Sequence, residues 1–269
     1  MPLLQAIVLG IVQGLAEFLP ISSSGHLALL PWVLGWEDPG LSFDVALHWG
    51  TLAAVLMVFW REWIRLISAG LFGRGNAAEK RIFWSLVVSA IPAAIAGKLL
   101  ERIVEEHLRA PLLIAAALAL LGIVLFIADR LGEKERTLEE ISIPRALVIG
   151  LSQVAALVPG VSRSGATMSA GLLMGFTREE IARFSFLMST PVIFGAGLLK
   201  FPEMLHEMRT GEAHLTWAAL GAGFVASAVV GTLVIRWMLD YLRRRTFAVF
   251  CIYRLVVAAV IVALWFARS

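Results

Sequence analysis

Ten apolar runs follow one another along this chain, and they differ in length. Runs 42–60, 82–100, 110–128, 181–199, 215–239 and 246–266 come close to or exceed the roughly 20 residues that a membrane-crossing helix needs. Runs 26–36, 144–158 and 166–175 fall short. Run 3–19 is cut off by the polar sequence PISSSG at 20–25, as 144–158 is by PGVSRSG at 159–165. Inside hydrocarbon, irregular backbone is tolerated only where protein or a water-filled cavity satisfies its amides and carbonyls. Each short pair is therefore predicted to be a re-entrant helical hairpin, over 3–36 and 144–175, whose bend marks a site. Pro92 and Pro191 fall inside long runs, where neighbouring helices can satisfy a kink.

The two halves share one plan, a broken pair followed by three spans. They also match without a gap at an offset of 140: Ala6, Val8, Gly10, Gln13, Ala16, Ser22, Ser24 and Gly25 align with Ala146, Val148, Gly150, Gln153, Ala156, Ser162, Ser164 and Gly165. This is the signature of an internal duplication. A re-entrant hairpin returns to its own side and three spans cross over, so the second half is expected to be inverted. The predicted fold is an all-α polytopic membrane protein. It has a first repeat at 1–128, a cytoplasmic linker at 129–143 and a second, inverted repeat at 144–269. Interrupted segments at matching positions of inverted halves point to a midplane binding site.

Charge then sets the orientation. On this topology fifteen Lys and Arg, from Arg61 to Arg245, gather on one side, against six on the other: Lys98, Arg102, Arg109, Lys200, Arg209 and Arg268. The positive-inside rule makes the richer side cytoplasmic. Both termini, and a site opening at the first hairpin, are then expected on the outer side of a bacterial cytoplasmic membrane. Composition agrees, with 59% hydrophobic residues and a mean hydropathy of +0.83 that no ordinary soluble domain approaches. Cys251 is the one cysteine, so no internal disulfide or cysteine zinc site forms. The basic start and cleavage site of a signal peptide are not seen, so 3–19 is expected to belong to the mature fold. Nothing resembles a nucleic-acid module, and no nucleic-acid partner is expected.

The bends carry the chemistry. Ser24-Gly25 and Ser164-Gly165 start the second helix of each hairpin and offer free amides with a partial positive charge. Ser22, Ser23, Ser24 and Ser164 are candidate caps and phosphate contacts. Gly160 and Gly165 let successive amides form an anion nest. Arg163 adds a planar fork suited to phosphate. Together they suggest a site for a polyanion such as a diphosphate. Glu17 would repel that anion unless a divalent cation intervenes, and Gln13, one helical turn away, completes a candidate ligand pair with it. His26 suits acid–base work near neutral pH. Ser162 and Thr167 are candidate nucleophile and oxyanion or phosphate contacts. Attack by water remains the alternative to Ser162, and a structural pair with Glu17 is the competing reading of Arg163. His48 and Asp44, at the start of a span, read as interfacial. Gly195, Gly197, Gly221 and Gly223 read as helix-packing positions.

The stretches QGLAEFLPISSSGH (13–26) and PGVSRSGAT (159–167) resemble the two signature motifs of the undecaprenyl-diphosphate phosphatase family, the bacitracin-resistance membrane proteins. The resemblance covers the whole chain, including 43–61 and 183–189. It implies hydrolysis of the cell-wall lipid carrier undecaprenyl diphosphate to the monophosphate and inorganic phosphate, with Mg²⁺ or Ca²⁺. It maps the family's acidic motif onto Gln13 and Glu17, its histidine onto His26, and its Ser-Arg and Thr onto Ser162, Arg163 and Thr167. Many relatives carry Glu where this chain has Gln13, which shifts the burden to Glu17. The expected partners are a polyprenyl diphosphate and the bilayer, with a homodimer among the permitted assemblies. Two other classes compete. Inverted repeats with broken helices are also a transporter plan, but a pure anion carrier needs no Glu17, His26 and Ser162 together. A histidine-nucleophile membrane phosphatase would need a later histidine–aspartate element, and no His follows Arg163 until His206.

Overall fold

The computed structural model describes residues 1–210 and 215–268, with backbone alone at 41, 101, 102 and 104–107. The predicted second repeat thus includes 211–214 and 269, which lie outside the described residues, as does the Arg102 side chain. Ten helices form: α1 (Leu3–Ala16), α2 (Ser23–Leu34), α3 (Leu41–Phe72), α4 (Ala77–His107), α5 (Pro111–Leu131), α6 (Ile143–Ser152), α7 (Arg163–Leu173), α8 (Arg178–Thr210), α9 (Trp217–Leu242) and α10 (Ala248–Arg268). Among the described residues, six helices are long and apolar enough to cross a membrane: α3, α4, α5, α8, α9 and α10. At 1.5 Å per residue, the 14 residues of α1 reach only about 21 Å of a roughly 30 Å hydrocarbon core. The chain then turns, and α2 packs back on α1, as α7 does on α6.

Three long helices overrun their apolar stretches, α3 beyond residue 60 to Phe72, α4 beyond 100 to His107 and α8 beyond 199 to Thr210. Hydrophobicity marks where lipid ends, whereas backbone hydrogen bonding carries a helix onward until something caps it. For α3 the cap is Gly73, left-handed at φ 66°. The segment between the halves is not a free tether. Arg136 bridges to Phe176, and both Glu135 and Arg136 donate their amides to the Gly175 carbonyl.

Polar and apolar surfaces are distributed as lipid demands. Gln13, Thr51, Ser85, Ser89, Ser185 and Ser227 are fully buried, whereas Leu99, Leu120 and Ile252 are exposed. In hydrocarbon the polar groups turn inward to find partners. Small residues bring the short helices close to their neighbours. A Cβ on Gly10 of α1 would stand 2.5 Å from the Gly223 carbonyl of α9, and one on Gly150 of α6 would strike the backbone of Ser89 on α4. Of the four predicted packing glycines, Gly223 and Gly197 meet neighbouring helices, at Leu47 and Trp49. Gly195 and Gly221 face open space.

Candidate active site

Both breaks use the same backbone device. Ser22 (φ 76°) and Ser162 (φ 74°) are two of the three non-glycine residues with left-handed φ among the described residues. Such a conformation costs about 1–3 kcal/mol and persists only where the surroundings hold it. Here the hydroxyl of each serine accepts from the amide three residues on, Gly25 at 3.3 Å and Gly165 at 3.1 Å. That bond caps α2 and α7. The twist directs the start of each helix inward, with its remaining first-turn amides unbonded within the helix.

The breaks touch. A Cβ on Gly25 would lie 3.1 Å from the Gly160 Cα. The Gly160 amide donates to Ser22 Oγ at 3.1 Å, and Ser164 Oγ donates to the Leu19 carbonyl at 3.1 Å. Gly160, at φ 98°, takes a conformation that only glycine adopts freely, and a Cβ there would stand 2.6 Å from the Ile114 carbonyl.

The sequence-predicted residues divide into groups. Glu17 and Arg163 meet, with Arg163 Nη2 3.3 Å from Glu17 Oε1. Arg163 Nη1 donates to the Ser185 carbonyl on α8 at 2.7 Å. Glu17 is 5% exposed and Arg163 13%, so the pair is shielded from solvent. Phe18 fixes this turn of chain, fully buried and edge-on to Phe186. The other oxygen of Glu17, Oε2, accepts from Ser23 Oγ at 2.6 Å and Gln13 Nε2 at 3.2 Å. Ser162 and Ser164 stand with their hydroxyls 3.2 Å apart, and Ser24 Oγ is 3.4 Å from Ser22 Oγ. Two predicted residues stand beside the Glu17–Arg163 pair rather than in it. Thr167 Oγ1 is 2.8 Å from Ser185 Oγ and donates back to the carbonyls of Arg163 and Ser164. His26 joins the group through Ser22, whose carbonyl lies 2.7 Å from His26 Nδ1, while Nε2 sits 2.8 Å from the Tyr253 hydroxyl of α10.

Sequence reasoning missed two residues. Arg254 of α10 is fully buried. It donates to the carbonyls of Leu118 and Ala117 on α5, of Pro20 in the first break, and of Gly160 and Val161 in the second. Its cation clamps both breaks to α5. The signal was present: of the 23 Lys and Arg, the side count leaves out two, Arg163 and Arg254, and an ionisable residue inside a span marks function. The other is His48, read as interfacial. It lies on α3 with Nε2 3.6 Å from Glu17 Oε2. Only the folding of α3 against α1 brings the two together.

The comparisons point one way. The family described as "Bacitracin resistance protein BacA" matches residues 6–260. The undecaprenyl-diphosphatase of Moorella thermoacetica is 52% identical over the whole of both chains. Those of Desulforudis audaxviator and Pelotomaculum thermopropionicum are 50% identical, over 98% of each chain, and 49% identical, over 100% of this chain and 99% of the relative.

Proposed function

The chain belongs to the BacA family of bacitracin resistance proteins, and we propose that it removes the terminal phosphate of undecaprenyl diphosphate, as its relatives' names state of them. The reaction recycles the lipid carrier for cell-wall synthesis and gives bacitracin resistance. Water supplies a hydroxyl to the terminal phosphorus, the bridging P–O bond breaks, and the lipid monophosphate leaves. The observation that carries the assignment of the site is the meeting of Glu17 and Arg163 across the two breaks.

Each residue has a part in this reading. Arg163 keeps guanidinium N–H groups beyond those given to Glu17 and Ser185, and these hold the terminal phosphate as its charge grows. The first-turn amides of α2 and α7, with the Ser24 and Ser162 hydroxyls, take the remaining phosphate oxygens, while Ser164, whose proton goes to the Leu19 carbonyl, holds the bend in place. Among the described residues, Ser162 Oγ meets only the Gly165 amide and the Ser164 hydroxyl, with no base as a hydrogen-bond partner, so in this reading it binds phosphate rather than attacking it. A carbonyl cannot donate, so His26 Nδ1 carries a proton toward Ser22. Nε2, beside Tyr253, is the atom that exchanges a proton with the departing oxygen. Glu17 Oε2 and Gln13 Oε1 are the groups that would hold a Mg²⁺ or Ca²⁺ ion. Gln13 is fully buried, yet its Oε1 has no hydrogen-bond partner among the described residues, which suits a ligand. Bound there, the ion would neutralise phosphate charge.

The membrane arrangement belongs to the same reading. The two halves are inverted repeats, and the hairpins α1–α2 and α6–α7 are re-entrant from opposite leaflets. The matched Ser22 and Ser162 caps, and the matched packing of α1 on α9 and of α6 on α4, support this. The Lys and Arg excess supports a cytoplasmic position for 61–81, 129–145, 178–183 and 236–245 and an outer position for both termini, with the head group reached from the outer face of the cytoplasmic membrane.

Purified protein in detergent tests the assignment by phosphate release from a polyprenyl diphosphate. Arg163→Ala should lose at least about 10³-fold in turnover; near-normal release would overturn the site. Excess chelator should stop turnover and added Mg²⁺ or Ca²⁺ restore it. Turnover that continues in chelator would remove the ion from Glu17.

A further inference from the structure

Among the described residues, His48 is the one imidazole on Glu17, and its ring is held in one orientation. Nδ1 lies 2.7 Å from the backbone carbonyl of Asp44. That oxygen can only accept, so Nδ1 carries a proton. Nε2 faces Glu17 Oε2 at 3.6 Å. A protonated ring donating to a carboxylate would close to about 2.7–2.9 Å, which is nearer than the separation found. In a neutral ring, Nε2 keeps a lone pair free beside a buried carboxylate oxygen that also accepts from Ser23 Oγ and Gln13 Nε2, and a cation is the group that both lone pairs can share.

The spacing around Oε2 suits such an ion. Neighbouring ligands of one ion, with bonds of about 2.0–2.5 Å, stand about 3.0–3.6 Å apart. His48 Nε2 and the Gln13 carboxamide lie 3.6 and 3.2 Å from Oε2. The Gln13 carboxamide now presents Nε2 to Glu17 and leaves Oε1 without a partner among the described residues. Turning it over by half a rotation exchanges the two, an assignment set by the bonding network rather than by shape. Gln153 is the control. Its Oε1 is also without a partner among the described residues, but its Nε2 donates to the Ser89 carbonyl, with no carboxylate in that bond. The arginine stays off this face, since Arg163 bonds Oε1 of Glu17.

We infer that His48 is a ligand of the divalent cation, through Nε2, and completes with Glu17 Oε2 and Gln13 Oε1 a mixed nitrogen–oxygen site at the meeting of α1 and α3. The inference rests on the cation reading given above and deepens it. The Asp44 carbonyl is then the outer partner that fixes the ring, as a backbone carbonyl commonly does for a ligating histidine. A nitrogen ligand draws the site toward Zn²⁺ and away from Ca²⁺. His48 also supplies a third ligand where Gln13 offers only a neutral oxygen.

The test is pulsed electron paramagnetic resonance on the full-length protein loaded with Mn²⁺ in detergent, where a directly bound imidazole gives a ¹⁴N coupling. The wild-type protein and His26→Gln should both show the coupling. His48→Gln should lose it, bind Mn²⁺ at least about tenfold more weakly, and change much less toward Ca²⁺. Should His48→Gln fail to fold, the comparison of wild type with His48→Asn decides, with monodispersity as the check. Bound Mn²⁺ without the ¹⁴N coupling, or a coupling that survives in the His48 variants, overturns the inference and leaves the cation on Glu17. Failure of the wild-type protein to bind any divalent ion overturns the cation reading as well.

Discussion

The two breaks are the same piece of backbone carrying different chemistry. Ser22 and Ser162 adopt the same left-handed turn and cap their helices with the same bond. At the offset of 140, however, Glu17 faces Leu157, Ser23 faces Arg163, His26 faces Ala166 and Pro20 faces Gly160. The first break holds the acid and the imidazole, and the second holds the cation and the glycine that lets the two approach. The helices that pack around them diverge in the same way, with His48 opposite Met188 and Arg254 opposite Ile114. On the proposed reading, a duplicated fold supplies two anion-binding helix starts, and point differences between the copies turn a symmetric anion site into one suited to acid–base and metal chemistry.

The largest effect should come from what holds the breaks together. Arg254→Leu strands carbonyls from both breaks and from α5, at about 1–3 kcal/mol for each buried acceptor left without a donor. Thermal melting of the detergent-solubilised protein should fall steeply or show no folded protein. A melting curve within a degree or two of wild type would mean that the breaks meet without this clamp.

Next come the two caps. Ser162→Ala removes one acceptor, for the Gly165 amide, and should cost about 1 kcal/mol. Ser22→Ala removes the acceptor for both Gly25 and Gly160. The stranded Gly160 amide should add about 1–3 kcal/mol to the cap loss. Equal melting shifts for the two variants would show that the cross-break bond contributes nothing.

The smallest difference should separate the paired glutamines. Gln13→Glu places a second carboxylate beside Glu17. It should lower stability in chelator and raise divalent-ion affinity about tenfold, because added ligand charge tightens such sites. Gln153→Glu loses the bond to the Ser89 carbonyl and buries a charge, so it should be destabilised equally with and without the ion. Ion-dependent melting of both variants reads the contrast directly, and an ion response at Gln153→Glu would remove the distinction.

Much of this was legible in the chain. Helix number and the two breaks follow from run length and from Pro, Gly and Ser punctuation, because lipid admits few alternatives. Glu17, Arg163 and the capping serines follow because polar residues in such runs need a reason. The rest depended on tertiary contact. Nothing near His48 in sequence signals Glu17, since the two meet only when α3 lies against α1. Arg254 sits in an otherwise ordinary span, and its five carbonyl partners come from α5 and both breaks. Thr167 lies in the signature motif, but α8 claims its hydroxyl through Ser185.

The central claim is that one working site is assembled from both breaks. It is tested most directly by phosphate release from purified Glu17→Gln, Arg163→Met and the double variant. If the two side chains act as one unit, each single variant loses at least about 10³-fold and the double falls no more than about tenfold below the worse single. Losses that multiply in the double variant, or near-normal release by either single variant, would contradict it.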